Sequence, residues 1–160
     1  MTNLRPQAWG TTVFCDDIRA EIGGKITLVG IYSSDLVVHG PFPYTMPKFA
    51  FWINYFETPG AMTGDGKFFI SLPGDEKPSI ESDIPLERLR SERNKPGAEP
   101  ETDSVHRLLV PIVLAPLILK EPGWILVRLH VRDIVVRLGA LLVKAAPVGT
   151  TGSVGNQQST

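Results

Sequence analysis

The chain has 160 residues, of which 42% are hydrophobic and 21% charged, and its formal net charge at pH 7 is −1. This composition is that of a globular domain rather than a disordered chain, and a charge so near zero gives no electrostatic reason to expect nucleic acid as a partner. The single cysteine, Cys15, excludes an intrachain disulfide and a zinc site built from several cysteines.

The most apolar stretch of the chain, residues 108–119, is too short to span a bilayer and is interrupted by Pro111 and Pro116. The first ten residues lack the apolar core of a secretory signal. We therefore expect a cytoplasmic protein with no membrane span.

Short runs rich in β-branched and aromatic residues alternate with glycine and proline, which predicts many short strands. The predicted strands are residues 11–22, 25–38, 48–56, 67–72, 105–114, 117–120, 123–132 and 134–144. Because no internal repeat accompanies them, we predict an all-β fold of two packed antiparallel sheets, an immunoglobulin-like or C2-like sandwich.

The first two strands form a hairpin whose turn contains Gly23 and Gly24. A two-residue loop would place polar side chains opposite apolar ones, whereas a three-residue loop with Gly24 left-handed separates them by face. The pairs predicted by the longer loop are Glu21 with Lys25, Ala20 with Ile26, Arg19 with Thr27 and Ile18 with Leu28. We therefore predict the three-residue loop.

Asp16, Asp17 and Arg19 are the candidate ligand-binding residues. The hairpin register places Asp17 and Arg19 on the outer face, where exposed ion pairs are ordinary surface features. Asp16 falls on the inward row opposite Gly30, where an unpaired carboxylate would be costly. Two explanations stay open: a bulge that turns the Asp16 carboxylate towards backbone N–H groups, or a ligand or metal site beside it.

One charged segment, residues 81–103, interrupts the strand pattern and is predicted to be a solvated insertion loop. Asp83 is placed to cap a short helix there, with Pro85 in the first turn and Leu86 and Leu89 on the inner face. The polar residues 146–160 predict a flexible tail. The expected organisation is a single domain over residues 1–145, followed by that tail.

Twelve residues of the hairpin form a signature, written FCDDIR-E--GK--L-G-Y. They are Phe14, Cys15, Asp16, Asp17, Ile18, Arg19, Glu21, Gly24, Lys25, Leu28, Gly30 and Tyr32. The signature resembles the N-terminal part of a family of uncharacterised bacterial proteins that is known only as a domain of unknown function. Residues 122–133 are similar to the closing strands of that family. The resemblance implies a β-sandwich and carries no known activity.

No catalytic set can be assembled from the sequence, and no cofactor motif or metal-ligand spacing is present. The leading hypothesis is a non-enzymatic module that binds another protein, self-associates or serves as a structural subunit. The alternative is a C2-like calcium- or lipid-binding module that uses loop aspartates such as Asp16, Asp17, Asp65 and Asp133. A hydrolase that uses Asp16 and Asp17 is the weakest alternative, because neighbouring strand residues point to opposite faces.

Overall fold

The computed structural model describes residues 7–93 and 105–147, which contain twelve strands and one helix. In chain order these are β1 (Ala8–Cys15), β2 (Asp17–Ala20), β3 (Ile26–Val29), β4 (Leu36–Val38), β5 (Tyr44–Met46), β6 (Phe49–Glu57), β7 (Gly66–Ser71), β8 (Ile80–Ile84), α1 (Leu86–Arg93), β9 (His106–Leu114), β10 (Leu117–Leu119), β11 (Gly123–Val131) and β12 (Ile134–Ala145). No helix among these residues is long and apolar enough to cross a membrane.

The strands form two main sheets and two short ladders. The larger sheet has five strands in the order β4-β12-β11-β7-β8, and the smaller has three in the order β1-β6-β9. The ladders are the hairpin β2-β3 and the pair β5-β10. This confirms the predicted all-β sandwich. The prediction of purely antiparallel sheets is wrong for one pair, since β4 runs parallel to β12. The long stretch of chain between these two strands permits such a crossover.

The core lies between the two main sheets and follows the alternation of their strands. On β11, Ile125, Val127 and Leu129 are fully buried, while the residues between them are half-buried. The strand β6 is buried on nearly every residue, and its aromatic side chains Phe49 and Phe51 pack edge to face with ring centroids 5.1 Å apart. Such a continuous apolar strand is typical of the middle of a sheet that is covered on both faces.

Two glycines allow β1 and β12 to cross closely where the sheets meet. A Cβ atom at Gly10 of β1 would overlap Leu138 and the carbonyl oxygen of Asn54. A Cβ atom at Gly139 of β12 would lie 2.7 Å from Cβ of Thr12. Because larger residues would force the strands apart, these two positions require glycine for packing reasons.

The first two predicted strands are each divided in the structure. Residues 11–22 leave the β6 ladder after Cys15 and enter the β3 ladder at Asp17, so the break falls on Asp16. Residues 25–38 form β3 and β4 with an irregular segment between them. The second of these breaks, after β3, has a backbone cause. Gly30 has a φ of 66°, which lies in the left-handed region and ends the extended strand.

The predicted charged insertion is only partly a loop. Residues 80–84 form β8, an edge strand that pairs with β7, so the expectation of no strand here is wrong. The helix is present as α1, with Leu86 buried and Leu89 partly buried, but Asp83 does not cap it. Instead Asp65 accepts the backbone N–H of Glu87 at 3.0 Å. Residues 94–104 and 148–160, which include the last ten residues of the predicted insertion and most of the predicted tail, lie outside the described residues.

Candidate functional site

Asp16 lies on the surface at the break between β1 and β2. Its Oδ1 accepts a hydrogen bond from the Tyr32 hydroxyl at 2.5 Å, and a Cβ atom at Gly30 would overlap its carboxylate. The predicted position beside Gly30 is therefore correct. The predicted inward direction is wrong, because the break turns the side chain outward. Of the two explanations left open, the backbone N–H donors are not observed, since the partner of the carboxylate among the described residues is the Tyr32 hydroxyl. The ligand site stays a prediction. Burial and the neighbouring Asp16 carboxylate together raise the pKa of Tyr32.

Asp17 forms the ion pairs of the hairpin. Lys48 Nζ lies 2.7 Å from Oδ1 of Asp17, and Arg19 Nε lies 3.3 Å from Oδ2. The hydrogen bond from Lys48 is the main reason that the pKa of Asp17 is lowered, although partial desolvation opposes it. Asp16 and Asp17 thus have different partners and do not form a carboxylate pair. Sequence reasoning missed Lys48, which is distant in the chain and carries no local signal.

The hairpin register itself agrees with the prediction. The observed pairs include Ile18 with Leu28 and Arg19 with Thr27, and the backbone N–H of Glu21 donates to the carbonyl of Lys25 at 2.8 Å. The Glu21 and Lys25 side chains form no ion pair among the described residues. Turn geometry therefore sets this register without help from that charge pair.

The most buried charged group of the described residues is Glu57, at the end of β6. It is 2% exposed and accepts a hydrogen bond from the Tyr55 hydroxyl at 2.7 Å. Arg90 of α1 donates to both of its oxygens, from Nε at 2.6 Å and from Nη2 at 2.9 Å. Nη1 of Arg90 reaches the carbonyl of Gly64 at 2.7 Å, and His106 Nδ1 lies 3.4 Å from Oε1 of Glu57.

This arrangement fastens the helix to the sheet and is poorly suited to proton transfer. Burial raises the pKa of Glu57, but the hydrogen bonds from Arg90, Tyr55 and His106 outweigh it, so the pKa is lowered overall. A carboxylate with both oxygens occupied and a lowered pKa is a weak general base. The sequence signal for this cluster is only that a glutamate ends an otherwise apolar strand.

The outward face of the five-stranded sheet combines apolar and basic side chains. We call it the outer face and define it by residues of β7, β11 and β12 that share one side of the sheet: Lys67, Phe69, Ser71, Trp124, Leu126, Arg128, His130, Val135, Arg137, Ala140 and Leu142. Trp124 is 53% exposed and faces Leu142 across the ladder. Tryptophan is enriched at protein interfaces, because its ring buries a large apolar area while its N–H group can stay hydrogen-bonded.

Arg128 and Arg137 lie directly opposite each other on the outer face. A bulge in β12 causes this pairing, since the register jumps from Val127–Gly139 to Arg128–Arg137 and leaves Leu138 out of the ladder. Leu138 is buried against Gly10 instead. In the described part of the chain, no carboxylate lies within ion-pair distance of either arginine.

Three of the four aspartates proposed for a calcium site each bind a different group of the protein. Asp65 caps α1, Asp16 accepts from Tyr32, and Asp17 pairs with Lys48. Within residues 7–93 and 105–147, no group of three or more acidic, histidine or cysteine side chains is arranged to hold a metal ion. These contacts therefore give no support to a site shared by the loop aspartates.

Comparison with known proteins gives no indication of function. No protein-family model, no curated protein and no solved structure matches the chain. The resemblance of the hairpin signature to an uncharacterised family stays a prediction, and the functional conclusion rests on the surfaces and side-chain contacts described above.

Proposed function

We propose that this domain is a non-enzymatic protein-binding module whose contact surface is the outer face. The observation that carries the proposal is Trp124, which is half exposed on a regular strand instead of being packed in the core. Tryptophan and arginine are the residues most enriched at the energetic centres of protein interfaces. The outer face presents Trp124 beside Leu142 and places Arg128 and Arg137 on the same sheet.

The packing of the five-stranded sheet also makes the outer face suitable for binding. The inward residues of β11 are fully buried, and their packing anchors the strand that carries the outward side chains. A rigid platform reduces the conformational entropy lost on binding. The apolar residues at the Trp124 end and the basic residues beyond them resemble the centre and rim of an interface.

The carboxylates of the described residues give less support to an enzymatic function than the outer face gives to a binding function. Glu57 is saturated by Arg90 and Tyr55, and the hairpin carboxylates Asp16 and Asp17 are engaged with different partners. A hydrolase would need a nucleophile or base with a free lone pair that faces a substrate. The proposal keeps the expectation of a cytoplasmic address and of no nucleic-acid partner, both from the sequence.

A peptide-display selection against the purified protein tests the proposal. The two variants to compare are Trp124→Ser on the outer face and Ile22→Ser in the hairpin turn, where Ile22 is 96% exposed. Both remove an exposed apolar side chain. We expect selected peptides to bind wild type and Ile22→Ser equally and Trp124→Ser at least tenfold more weakly, a loss on the order of 1.4 kcal/mol.

Two results would contradict the proposal. One is that selection yields no binder to the wild-type protein; the other is that binders lose affinity for Ile22→Ser and keep it for Trp124→Ser. Light scattering on wild type and Trp124→Ser identifies self-association, because a dimer that Trp124→Ser dissociates makes a second copy the partner.

The calcium-binding alternative has its own measurement. A ligand that binds only the folded state must raise the melting temperature. We expect saturating Ca²⁺ to leave the melting temperature unchanged, because Asp65 and Asp17 are engaged in other contacts. A rise of several degrees that a chelator reverses would make the calcium module the better account.

A further inference from the structure

We infer that Arg128 and Arg137 form a binding site for a phosphoryl group, as inorganic phosphate or a phosphate monoester. The site lies in the cleft where β1 meets β11 and β12, and Thr11, Thr12, Leu126 and Ala140 also line it. Both arginines belong to the outer face, but the ligand is a small anion. The site therefore does not require that the outer face also bind a protein.

The first support is that the protein holds two like charges together without a counter-charge. Residues directly opposite in an antiparallel pair have Cβ atoms about 4.5–5.5 Å apart, and like charges there are destabilising. Several exposed lysines elsewhere on the surface do have acidic partners, such as Lys48 with Asp17 and Lys67 with Glu81. In the described part of the chain, Arg128 and Arg137 have none.

The second support is that a bulge creates the juxtaposition. With a regular register, Arg128 would face Leu138 and not Arg137. Bulges occur preferentially next to functional sites, where they redirect a side chain. Here the bulge buries Leu138 against β1 and brings the second guanidinium opposite the first.

The third support is an unsatisfied hydroxyl in the same cleft. Oγ1 of Thr12 is buried and has no hydrogen-bond partner among the described residues. A buried polar atom without a partner is costly, and such atoms are rare in folded proteins. Thr12 lines the same cleft as the two arginines.

The charge of the ligand follows from the charge of the site. One carboxylate carries a single negative charge and would neutralise only one of two adjacent arginines. A phosphoryl group carries about −1.5 to −2 at pH 7 and offers three acceptor oxygens. The planar guanidinium donates pairs of parallel N–H groups that match phosphate oxygens. A dianionic phosphoryl group therefore satisfies the site where a carboxylate does not.

A melting-temperature titration with inorganic phosphate, at ionic strength held constant with potassium chloride, tests the site. We expect a saturable rise for wild type, since binding to the folded state alone raises the melting temperature. Arg137→Gln and, separately, Arg128→Gln should weaken the apparent affinity at least tenfold. Arg88→Gln removes the same charge from an exposed position on α1 and should leave the titration unchanged.

Urea unfolding without phosphate supplies a second readout. Because the paired charges repel each other, Arg137→Gln should unfold at a higher urea midpoint than wild type in chloride, and phosphate should narrow that difference. The inference fails if the rise in melting temperature persists in both arginine variants. It also fails if acetate produces the same rise as phosphate, or if Arg137→Gln lowers the midpoint in chloride.

Discussion

Replacing Glu57 by glutamine tests whether the buried Glu57–Arg90 pair holds α1 on the sheet. The substitution keeps the shape of the side chain and removes its charge. Both Arg90 hydrogen bonds, at 2.6 and 2.9 Å, then lose the ionised acceptor, and the Tyr55 hydroxyl faces an amide in place of a carboxylate. The arginine is left as a largely buried cation with no negative partner at this position.

The structure sets the expected size of the loss. Breaking a buried ion pair by removing one partner costs about 3–5 kcal/mol. Glu57 is almost fully buried, but the Arg90 side chain is 14% exposed and also bonds to the carbonyl of Gly64, so water and backbone compensate in part. We therefore expect Glu57→Gln to lower the free energy of unfolding by about 3 kcal/mol. For a domain of this size that corresponds to a fall of roughly 6–12 °C in melting temperature.

Equilibrium urea unfolding, followed by circular dichroism, measures the loss. The matched control is Glu81→Gln, which removes a carboxylate that pairs with Lys67 on the surface and should change stability by less than about 0.5 kcal/mol. A double-mutant cycle with Arg90→Met completes the test, because the charge left behind by either single variant is absent from the double variant. Equal urea midpoints for Glu57→Gln and Glu81→Gln would refute the structural role assigned to the pair.

The same pair predicts a pH dependence. Because the pKa of Glu57 is lowered in the folded state from its ordinary value of 4.5, its contribution to stability is complete above that value. The contribution is lost as the pH falls through the folded pKa. We expect the stability of wild type to fall more steeply below pH 4.5 than that of Glu57→Gln, in urea midpoints measured across that range. Parallel curves for the two proteins would contradict the lowered pKa.

Two further predictions concern the hairpin and the strand crossing. Asp16→Asn removes the negative charge beside the Tyr32 hydroxyl, so the raised pKa of Tyr32 should fall towards 10 in an ultraviolet titration; an unchanged titration would contradict the contact. Gly10→Ala places a Cβ atom against Leu138 and should cost about 1–3 kcal/mol or more by urea unfolding, whereas Thr11→Ala, on the exposed side of the same strand, should cost under about 0.5 kcal/mol.

The hairpin shows how far local sequence rules reach. Gly23 and Gly24 both have positive φ values, and the pairing of Ile18 with Leu28 follows from that turn. The same rules failed two residues before Ile18, at Asp16. The alternation of a continuous strand points Asp16 inward, but the strand ends at Cys15, because the chain changes its pairing partner from β6 to β3. A change of partner depends on where a distant strand lies, which local alternation does not encode.

The sequence by itself determined the features that depend on neighbours along the chain. These are the all-β composition, the hairpin register and the short helix after Pro85. Each arises from backbone preferences and side-chain periodicity over a few residues, so no knowledge of packing is needed.

Tertiary structure decided the features that join distant residues. The Glu57–Arg90 pair spans 33 positions in the chain, and the Asp17–Lys48 pair spans 31. Arg128 and Arg137 are close in sequence, yet they face each other only because a bulge in β12 turns Leu138 against Gly10 of β1. Packing between sheets selects such contacts, since the free energy of burying Leu138 depends on the strand that lies beside it and not on its sequence neighbours.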